Sequence, residues 1–299
     1  MATGAIGRRD FKAVCGLLAG LLGILLGLGW MPASAWADPA LDSTLLQQRL
    51  QTPLRRDGQV VIDLRQLTLD LREADFREQF YQQIQTQWQA ESAPVGLDLS
   101  DSVVLGDLDL RRLGQRASLS EENPYLPPAA VAQLRRDRNR LAQIGRLSQS
   151  LLLQPASSSP QINLFQGPLK LVHTTVTGQL IASNLYFLNV VEGAQAVFTQ
   201  AADWSDARFI RAADFADAEF QQESSFSNSL FFSQVRFNSS QFRAATCFQK
   251  SQFRASAYFN QAQFVGDADF SRSDWQNSAD FARTQFLQPV TFAKAAFAQ

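Results

Sequence analysis

An aromatic side chain recurs along the C-terminal third of the chain at spacings that alternate between six and five residues. Nineteen such positions follow one another without a break from Phe198 to Phe297, and 17 of them are Phe. The residue two positions before each aromatic is Ala, Ser, Thr or Val in every case. Residues two apart point to the same side of a β-strand, so the pattern predicts short strands that each bury one large and one small side chain.

A helical interpretation of the same repeat is less favourable. An 11-residue period also occurs in right-handed coiled coils. Steps of five and six residues, however, would place successive aromatics roughly 130° apart around a helix, so no continuous seam would form. Ser, Asn and Phe, which are frequent here, are also mediocre helix formers. The repeat therefore favours a solenoid of strands and turns.

The repeat resembles the pentapeptide-repeat family, whose pattern A-(D/N)-L-x-x has a small residue two positions before a central Leu or Phe. The Ala-Asp-Phe stretches at 213–215 and 268–270 match this pattern directly. Phe-rich variants with one extra residue in every second repeat also occur in that family, which is abundant in cyanobacteria. The resemblance is strong over 196–299 and fainter over 165–195, and a few positions over 99–110 also match the pattern. It implies a mainly β fold, a right-handed quadrilateral β-helix with four repeats per coil.

The geometry implied by this resemblance predicts which residues stack. Four repeats of five, six, five and six residues give 22 residues per coil, so residues 22 apart should lie one strand spacing apart, about 4.8 Å. Asp203 should then lie over Ser225, and Asp214 over Arg236. We expect the aromatics to form the core, each contributing about 1.5–3 kcal/mol by burial. Two of the predicted core columns are Phe198, Phe220, Phe242, Phe264 and Phe286, and Trp204, Phe226, Phe248, Phe270 and Phe292.

The first 37 residues have the features of an export signal. A basic segment containing Arg8-Arg9 precedes an apolar run over 13–30, and small residues then predict cleavage between Ala37 and Asp38. The arginine pair resembles the twin-arginine motif, and an ordinary Sec signal or an uncleaved membrane anchor are the alternatives. We therefore expect an exported protein of the periplasm or, in a cyanobacterium, the thylakoid lumen, with membrane association only if the signal is uncleaved.

The remaining chain contains two segments outside the repeat. A short helical pattern over 40–52 predicts a helix, and the alternation of apolar and polar residues over 60–71 predicts a strand or hairpin. Apolar residues at helical spacing then predict an amphipathic helix from Glu73. A third helix is predicted over 129–152; its polar face is basic. The predicted organisation is a signal peptide (1–37), an α/β N-terminal cap (38–95), first β-helix strands (96–110), a helical insertion and linker (111–164) and the pentapeptide-repeat β-helix (165–299).

The residues that could carry chemistry are few. Formal net charge is −1, with one His and two Cys. His173 has no identifiable nucleophile or orienting acid in the sequence, so we interpret it as structural or surface. Cys247 directly precedes a central Phe and should point outward, without a neighbour that would lower its pKa. We predict no catalytic, metal or cofactor site and no enzymatic activity.

The distribution of charged residues argues against two functional classes. Polysaccharide-cleaving β-helix enzymes cluster carboxylates on one face, whereas the acids here are dispersed and partly paired with bases; Asp267 and Asp269 are the closest pair. Gyrase-binding family members that imitate DNA need a dense negative surface. Residues 196–299 contain 10 acidic and 9 basic residues, and export would remove the chain from DNA.

The sequence is thus most consistent with an exported, non-enzymatic scaffold that binds an unknown protein or envelope macromolecule and no nucleic acid. The leading alternative is a cell-envelope or carbohydrate-active enzyme with a site at the junction of the cap and the insertion, and the lesser one is a DNA mimic. The repeat reaches Phe297 without a polar cap, so we expect either homodimerisation through that end or a longer parent chain.

Overall fold

The computed structural model describes residues 39–56, 59–91, 93–118 and 161–298, with three further residues at 132, 135 and 136. All of them belong to one compact unit, Asp38–Gln299. The predicted signal, with its cleavage site at Ala37 and Asp38, lies outside the described residues. So does the body of the helix predicted over 129–152.

The described chain folds into a β-solenoid of about six turns with four sides, which confirms the predicted mainly β fold. Each turn contributes one strand to each of four sheets, here called faces 1 to 4 in the order in which the chain visits them. Strands pair in parallel with the turns before and after. Two antiparallel pairs, β1–β2 and β7–β8, lie at the N-terminal end of faces 1 and 4.

The strands of the four faces are short, and most contain two residues. Face 1 consists of β1 (Leu54–Arg56), β2 (Gln59–Asp63), β4 (Val95–Asp98), β9 (Leu169–Lys170), β13 (Val191–Glu192), β17 (Ala213–Asp214), β21 (Val235–Arg236), β25 (Ala257–Tyr258) and β29 (Ala279–Asp280). Face 2 consists of β3 (Thr68–Asp70), β5 (Val103–Leu105), β10 (Thr175–Val176), β14 (Val197–Phe198), β18 (Glu219–Phe220), β22 (Gln241–Phe242), β26 (Gln263–Phe264) and β30 (Gln285–Phe286).

Faces 3 and 4 complete each turn. Face 3 consists of β6 (Leu108–Asp109), β11 (Leu180–Ile181), β15 (Ala202–Asp203), β19 (Ser224–Ser225), β23 (Thr246–Cys247), β27 (Ala268–Asp269) and β31 (Val290–Thr291). Face 4 consists of β7 (Gln115–Ser118), β8 (Gln161–Phe165), β12 (Leu185–Phe187), β16 (Arg208–Phe209), β20 (Leu230–Phe231), β24 (Gln252–Phe253), β28 (Asp274–Trp275) and β32 (Ala296–Phe297).

The register follows the 22-residue stacking that the sequence predicts. Phe198 pairs with Phe220, and Asp214 pairs with Arg236. The rings stack directly on one another, with centroids 4.8 Å apart for Phe220 and Phe242 and nearly parallel planes. Rings of neighbouring columns meet edge to face. The interior is thus a continuous aromatic ladder, in which offset and edge contacts add to the energy of burial.

The alternation of five and six residues arises from two kinds of corner. The five-residue steps, which follow faces 1 and 3, are tight turns with a left-handed residue at the third position, such as Gln261 with φ 61°. These turns close through a backbone bond, as from Ala262 N to Phe259 O at 3.0 Å. The six-residue steps follow faces 2 and 4 and bend through one additional residue. Five- and six-residue steps therefore alternate around the square.

The described part of the N-terminal region contains two α-helices, α1 (Ser43–Gln51) and α2 (Ala74–Ala90), and a 3-10 helix spans Leu110–Arg112. The carboxylate of Asp42 caps α1 by accepting from Leu45 N at 2.7 Å. The predicted helix from Glu73 corresponds to α2, which has Glu73 as its N-cap.

Helix α2 packs against the first turns with one apolar stripe. Phe80, Ile84 and Trp88 are buried, and the ring of Trp88 meets Phe165 edge to face with centroids 4.9 Å apart. The helix thereby protects apolar side chains at this end of the solenoid from water. Among the described residues, no helix is long and apolar enough to cross a membrane.

The segment over 60–71 is not a hairpin. Strands β2 and β3 belong to different faces and pair in parallel with β4 and β5, because a solenoid corner separates them. The solenoid therefore already begins at Gln59, within the range 38–95 that the sequence assigned to a cap.

Candidate functional site

Face 3 carries a shallow groove that runs across its coils from β15 to β31. Its volume is about 640 Å³. Three columns of residues, each stepping by 22 along the chain, form it. We call this surface the face 3 groove; its lining residues are Ala201, Ala202, Asp203, Glu223, Ser224, Ser225, Ala245, Thr246, Cys247, Asp267, Ala268, Asp269, Pro289, Val290 and Thr291.

The groove results from the small side chains that the repeat requires. The middle column points into the solenoid, where Ala202 and Ser224 are each 2% exposed. The hydroxyl of Ser224 donates to Thr246 Oγ1 at 3.1 Å, so the polar groups of this column satisfy each other. Small side chains such as Ala201 and Ala245 in the next column leave space above the sheet.

The charge of the groove is negative. Asp203, Glu223, Asp267 and Asp269 contribute carboxylates, and its lining contains no Lys, Arg or His. Glu223 and Asp267 occupy the same column and are exposed, whereas Asp203 and Asp269 are half-buried. The surface therefore favours cationic groups over anionic ones.

Two of these carboxylates have a structural task that sequence analysis missed. Asp203 Oδ1 accepts from the backbone N–H of Ser205 at 2.9 Å, and Asp269 Oδ1 accepts from that of Ser271 at 2.7 Å. Asp214 makes the same bond with Ala216 on face 1. An Asp directly before the central aromatic thus caps the tight turn that follows, as Asx turns do elsewhere. The sequence feature that predicts this turn is the Asp of the Ala-Asp-Phe stretches.

Asp203 and Asp269 are not spaced as a hydrolytic pair across the coils. Asp203 stacks over Ser225, Ser225 over Cys247, and Cys247 over Asp269. Three strand spacings amount to roughly 14 Å, beyond the separation of about 10 Å at which two carboxyl groups act on one glycosidic bond. Asp267 and Asp269 lie on the same outer surface because they are two residues apart.

Cys247 lies at the centre of the groove, half-buried between Ser225 and Asp269. Burial raises the pKa of its thiol, and the negative charge of Asp269 acts in the same direction. The thiol is therefore protonated at neutral pH and is a weak nucleophile.

His173 lies away from the groove, at the left-handed corner between faces 1 and 2, with φ 54°. Its Nδ1 is 3.1 Å from Asp101 Oδ1, and both side chains are about half exposed. Asp101 occupies the equivalent corner of the preceding turn and is also left-handed. The structure brings His173 to Asp101 and not to Cys247, so the two candidate residues of the sequence are separate.

The junction between α2 and the coil holds a compact set of polar groups. Tyr81 Oη accepts from Asp109 N at 2.8 Å, and burial raises the pKa of the phenol to about 12. The guanidinium of Arg112 lies 4.2 Å from the centre of the Tyr81 ring and forms a bidentate pair with Glu78. These contacts hold the helix on the coil.

The predicted core residues lie inside the solenoid. Phe198 and Phe220 stack at 5.0 Å, Phe242 and Phe264 at 4.6 Å. The ring planes of Trp204 and Phe226 are parallel within 2°, and both side chains are fully buried. The remaining members are Phe248 and Phe270, which are also fully buried, and Phe286 and Phe292, which are partly buried in the last coil.

Within the described residues, no group of three or more His, Cys, Asp or Glu is placed to hold a metal ion. Comparisons of the chain with protein-family models, with curated proteins and with solved structures found no match.

Proposed function

We propose that this protein is an exported, non-enzymatic member of the pentapeptide-repeat family that acts as a binding scaffold for another protein. The family assignment rests on the Ala-Asp-Phe pattern and on the aromatic ladder inside a four-sided solenoid. Export rests on the features of residues 1–37. The proposed mechanism is the presentation of a regular surface, since parallel strands fix the spacing of outward side chains along each face.

The face 3 groove is the observation that carries the binding role. It is concave, crosses several turns, and carries four carboxylates without a cation in its lining. Glu223 and Asp267 are exposed and stand two turns apart in one column, which corresponds to roughly 10 Å. We propose that the partner presents an extended segment with Lys or Arg side chains, because such a segment can follow the column and pair with successive acids.

The groove can be tested by reversing its charge. In the variant Glu223→Lys/Asp267→Lys we expect weaker capture of a specific extracytoplasmic partner from the native host after chemical cross-linking. Both residues are exposed, so the solenoid should remain folded. The control Asp217→Lys/Asp274→Lys makes the same change in net charge away from the groove and should retain the partner.

The result that would contradict this role is capture of the same proteins by the wild type, the groove variant and the control. Export is tested separately by mass spectrometry of the N-terminus of the protein from its host. A soluble extracytoplasmic chain that begins at Asp38 would support the proposed compartment. An intact Met1 in the cytosol would overturn it, and an intact Met1 in membranes would indicate a tethered scaffold.

A further inference from the structure

Face 4 carries an apolar cluster on its outer surface, separate from the aromatic core. The buried members are Leu164, Tyr186, Leu188 and Ile210, with Ile162 and Phe232 packed against them. We call these six residues the face 4 patch. On the other faces the corresponding outward positions hold mainly polar or charged side chains, such as Asp203 and Asp214. The patch is therefore a local departure from the surface chemistry of the repeat.

The outward direction of the patch follows from β12. Leu185 and Phe187 belong to the interior cluster, whereas Tyr186 between them belongs to the patch. Successive residues of a strand point to opposite sides, so Tyr186 points away from the solenoid. It is nevertheless only 9% exposed, and Ile210 only 3%.

The patch is confined to the coils that adjoin the insertion. Along the column after each central aromatic, Leu188, Ile210 and Phe232 are apolar, whereas the next two positions are Arg254 and Gln276. The insertion leaves face 4 after β7 and returns in β8, which pair antiparallel with each other. The described residues on either side of this segment, Ser118 and Gln161, are therefore paired with each other on face 4, next to β12 and the patch.

The sequence of this insertion has an apolar side of matching character. Its residues at helical spacing are Val131, Leu134, Leu141, Ile144, Leu147 and Leu151. A helix over 129–152 would be about 36 Å long. The four coils that carry the face 4 patch span roughly 14 Å, so a helix of this length could cross the whole patch. We propose that this segment docks its apolar side onto the face 4 patch.

The proposal can be tested by hydrogen exchange and mass spectrometry of the purified full chain. With Ile210→Asp we expect peptides from 131–151 to exchange at least about tenfold faster, because a charge replaces a buried apolar contact. The control Val265→Asp places the same change one residue after a central Phe on face 2. It should leave these peptides unchanged, and peptides from 235–259 report whether each variant still folds.

A second variant changes the insertion instead of the solenoid. In Leu141→Asp/Ile144→Asp, the solenoid sequence is intact, and we expect peptides over 185–189 to lose protection and the dye ANS to bind. Asn139→Asp, on the opposite side of the predicted helix, should do neither. Equal, fast exchange of 131–151 in all proteins would overturn the proposal. Protection of 185–189 that rises with protein concentration and survives Leu141→Asp/Ile144→Asp would also overturn it, in favour of a second copy on the patch.

Discussion

At the scale of single residues, the solenoid depends on corners that force the backbone into the left-handed region. Among the described residues, fourteen other than Gly have positive φ, with values from 54° to 61°, and they recur after faces 1 and 3. Their side chains are polar or charged. A β-branched residue is disfavoured in this conformation because its Cβ substituents clash with the backbone.

A substitution at Gln261, which is exposed and left-handed, isolates this effect. We expect Gln261→Val to lower the free energy of unfolding by about 1–2 kcal/mol and Gln261→Gly to leave it within about 1 kcal/mol of the wild type. Urea denaturation followed by circular dichroism measures both. Gln263→Val, two residues later in β26, is the control, since Val is well accommodated in a strand. Equal losses for the two Val variants would contradict the role of the corner.

The buried side chain of Trp275 depends on a single hydroxyl group for its hydrogen bond. Trp275 Nε1 donates to Ser273 Oγ at 2.8 Å, and Ser273 Oγ in turn donates to Phe270 O at 2.7 Å. Ser251, one turn earlier, donates to Phe226 O at 2.7 Å but accepts no indole N–H, because the aromatic two residues later is Phe253. Ser273 therefore has a role beside Trp275 that the equivalent Ala202 cannot have beside Trp204, whose buried Nε1 has no hydrogen-bond partner among the described residues.

We expect Ser273→Ala to destabilise the protein more than Ser251→Ala does. The first variant leaves the indole N–H of Trp275 buried without an acceptor, which costs about 1–3 kcal/mol, whereas the second loses a single hydrogen bond, about 1 kcal/mol. Thermal unfolding of the two variants under identical conditions gives the comparison. If the two midpoints fall by the same amount, the bond from Trp275 contributes nothing to stability.

At the scale of elements, the first turn of the solenoid is held by an ion pair that acid should weaken. Arg65 pairs with Asp63 through two bonds of 2.8 and 2.9 Å. Arg49 of α1 approaches the same carboxylate at 3.5 Å. The side-chain bond from Arg65 lowers the pKa of Asp63 below its usual value. The carboxylate therefore stabilises the folded state above the pKa of the unfolded chain.

This stabilisation should disappear as pH falls through the lowered pKa of the folded state. We expect peptides from 59–70 to lose hydrogen-exchange protection below about pH 4 in the wild type. In Asp63→Asn, which can still accept from Arg65 N, protection should be lower at neutral pH and depend less on pH. An unchanged pH profile in the variant would show that other carboxylates dominate the acid response.

The elements also show what the sequence can predict. The aromatic period predicts short strands with every Phe inside, because one slip would turn every Phe out of the core. The four sides and the 22-residue register were predicted from the resemblance to the pentapeptide-repeat family. The same pattern cannot show that β2 and β3 already form part of the solenoid, since α2 interrupts the rhythm before β4 and β5. The face 3 groove was also not predicted, because it depends on small residues in adjacent turns that are 22 positions apart.

At the scale of the whole molecule, the two ends of the solenoid differ. Helix α2 protects the first turns, whereas the last described turn leaves its interior open. Phe297 is 51% exposed and Val290 is 37% exposed, although the repeat directs both side chains inward. Each of the strands β29 to β32 has a paired neighbour on one side among the described strands. Such an end offers both apolar surface and unpaired backbone groups to a second chain.

In a chain that consists of residues 38–299 alone, we expect two copies to associate through this end, with a weight-average mass that rises toward a dimer as concentration increases in analytical ultracentrifugation. In a longer parent chain, further coils would cover the same end instead. Val290→Lys/Phe297→Lys should keep the protein monomeric, because two charges at each end would be buried without partners. Leu287→Lys is the control: this side chain is 58% exposed but points outward from face 2. A wild type that stays monomeric at every concentration would contradict the prediction. Equal dissociation of the dimer by the control variant would also contradict it, because a lateral contact between faces would then explain the dimer better.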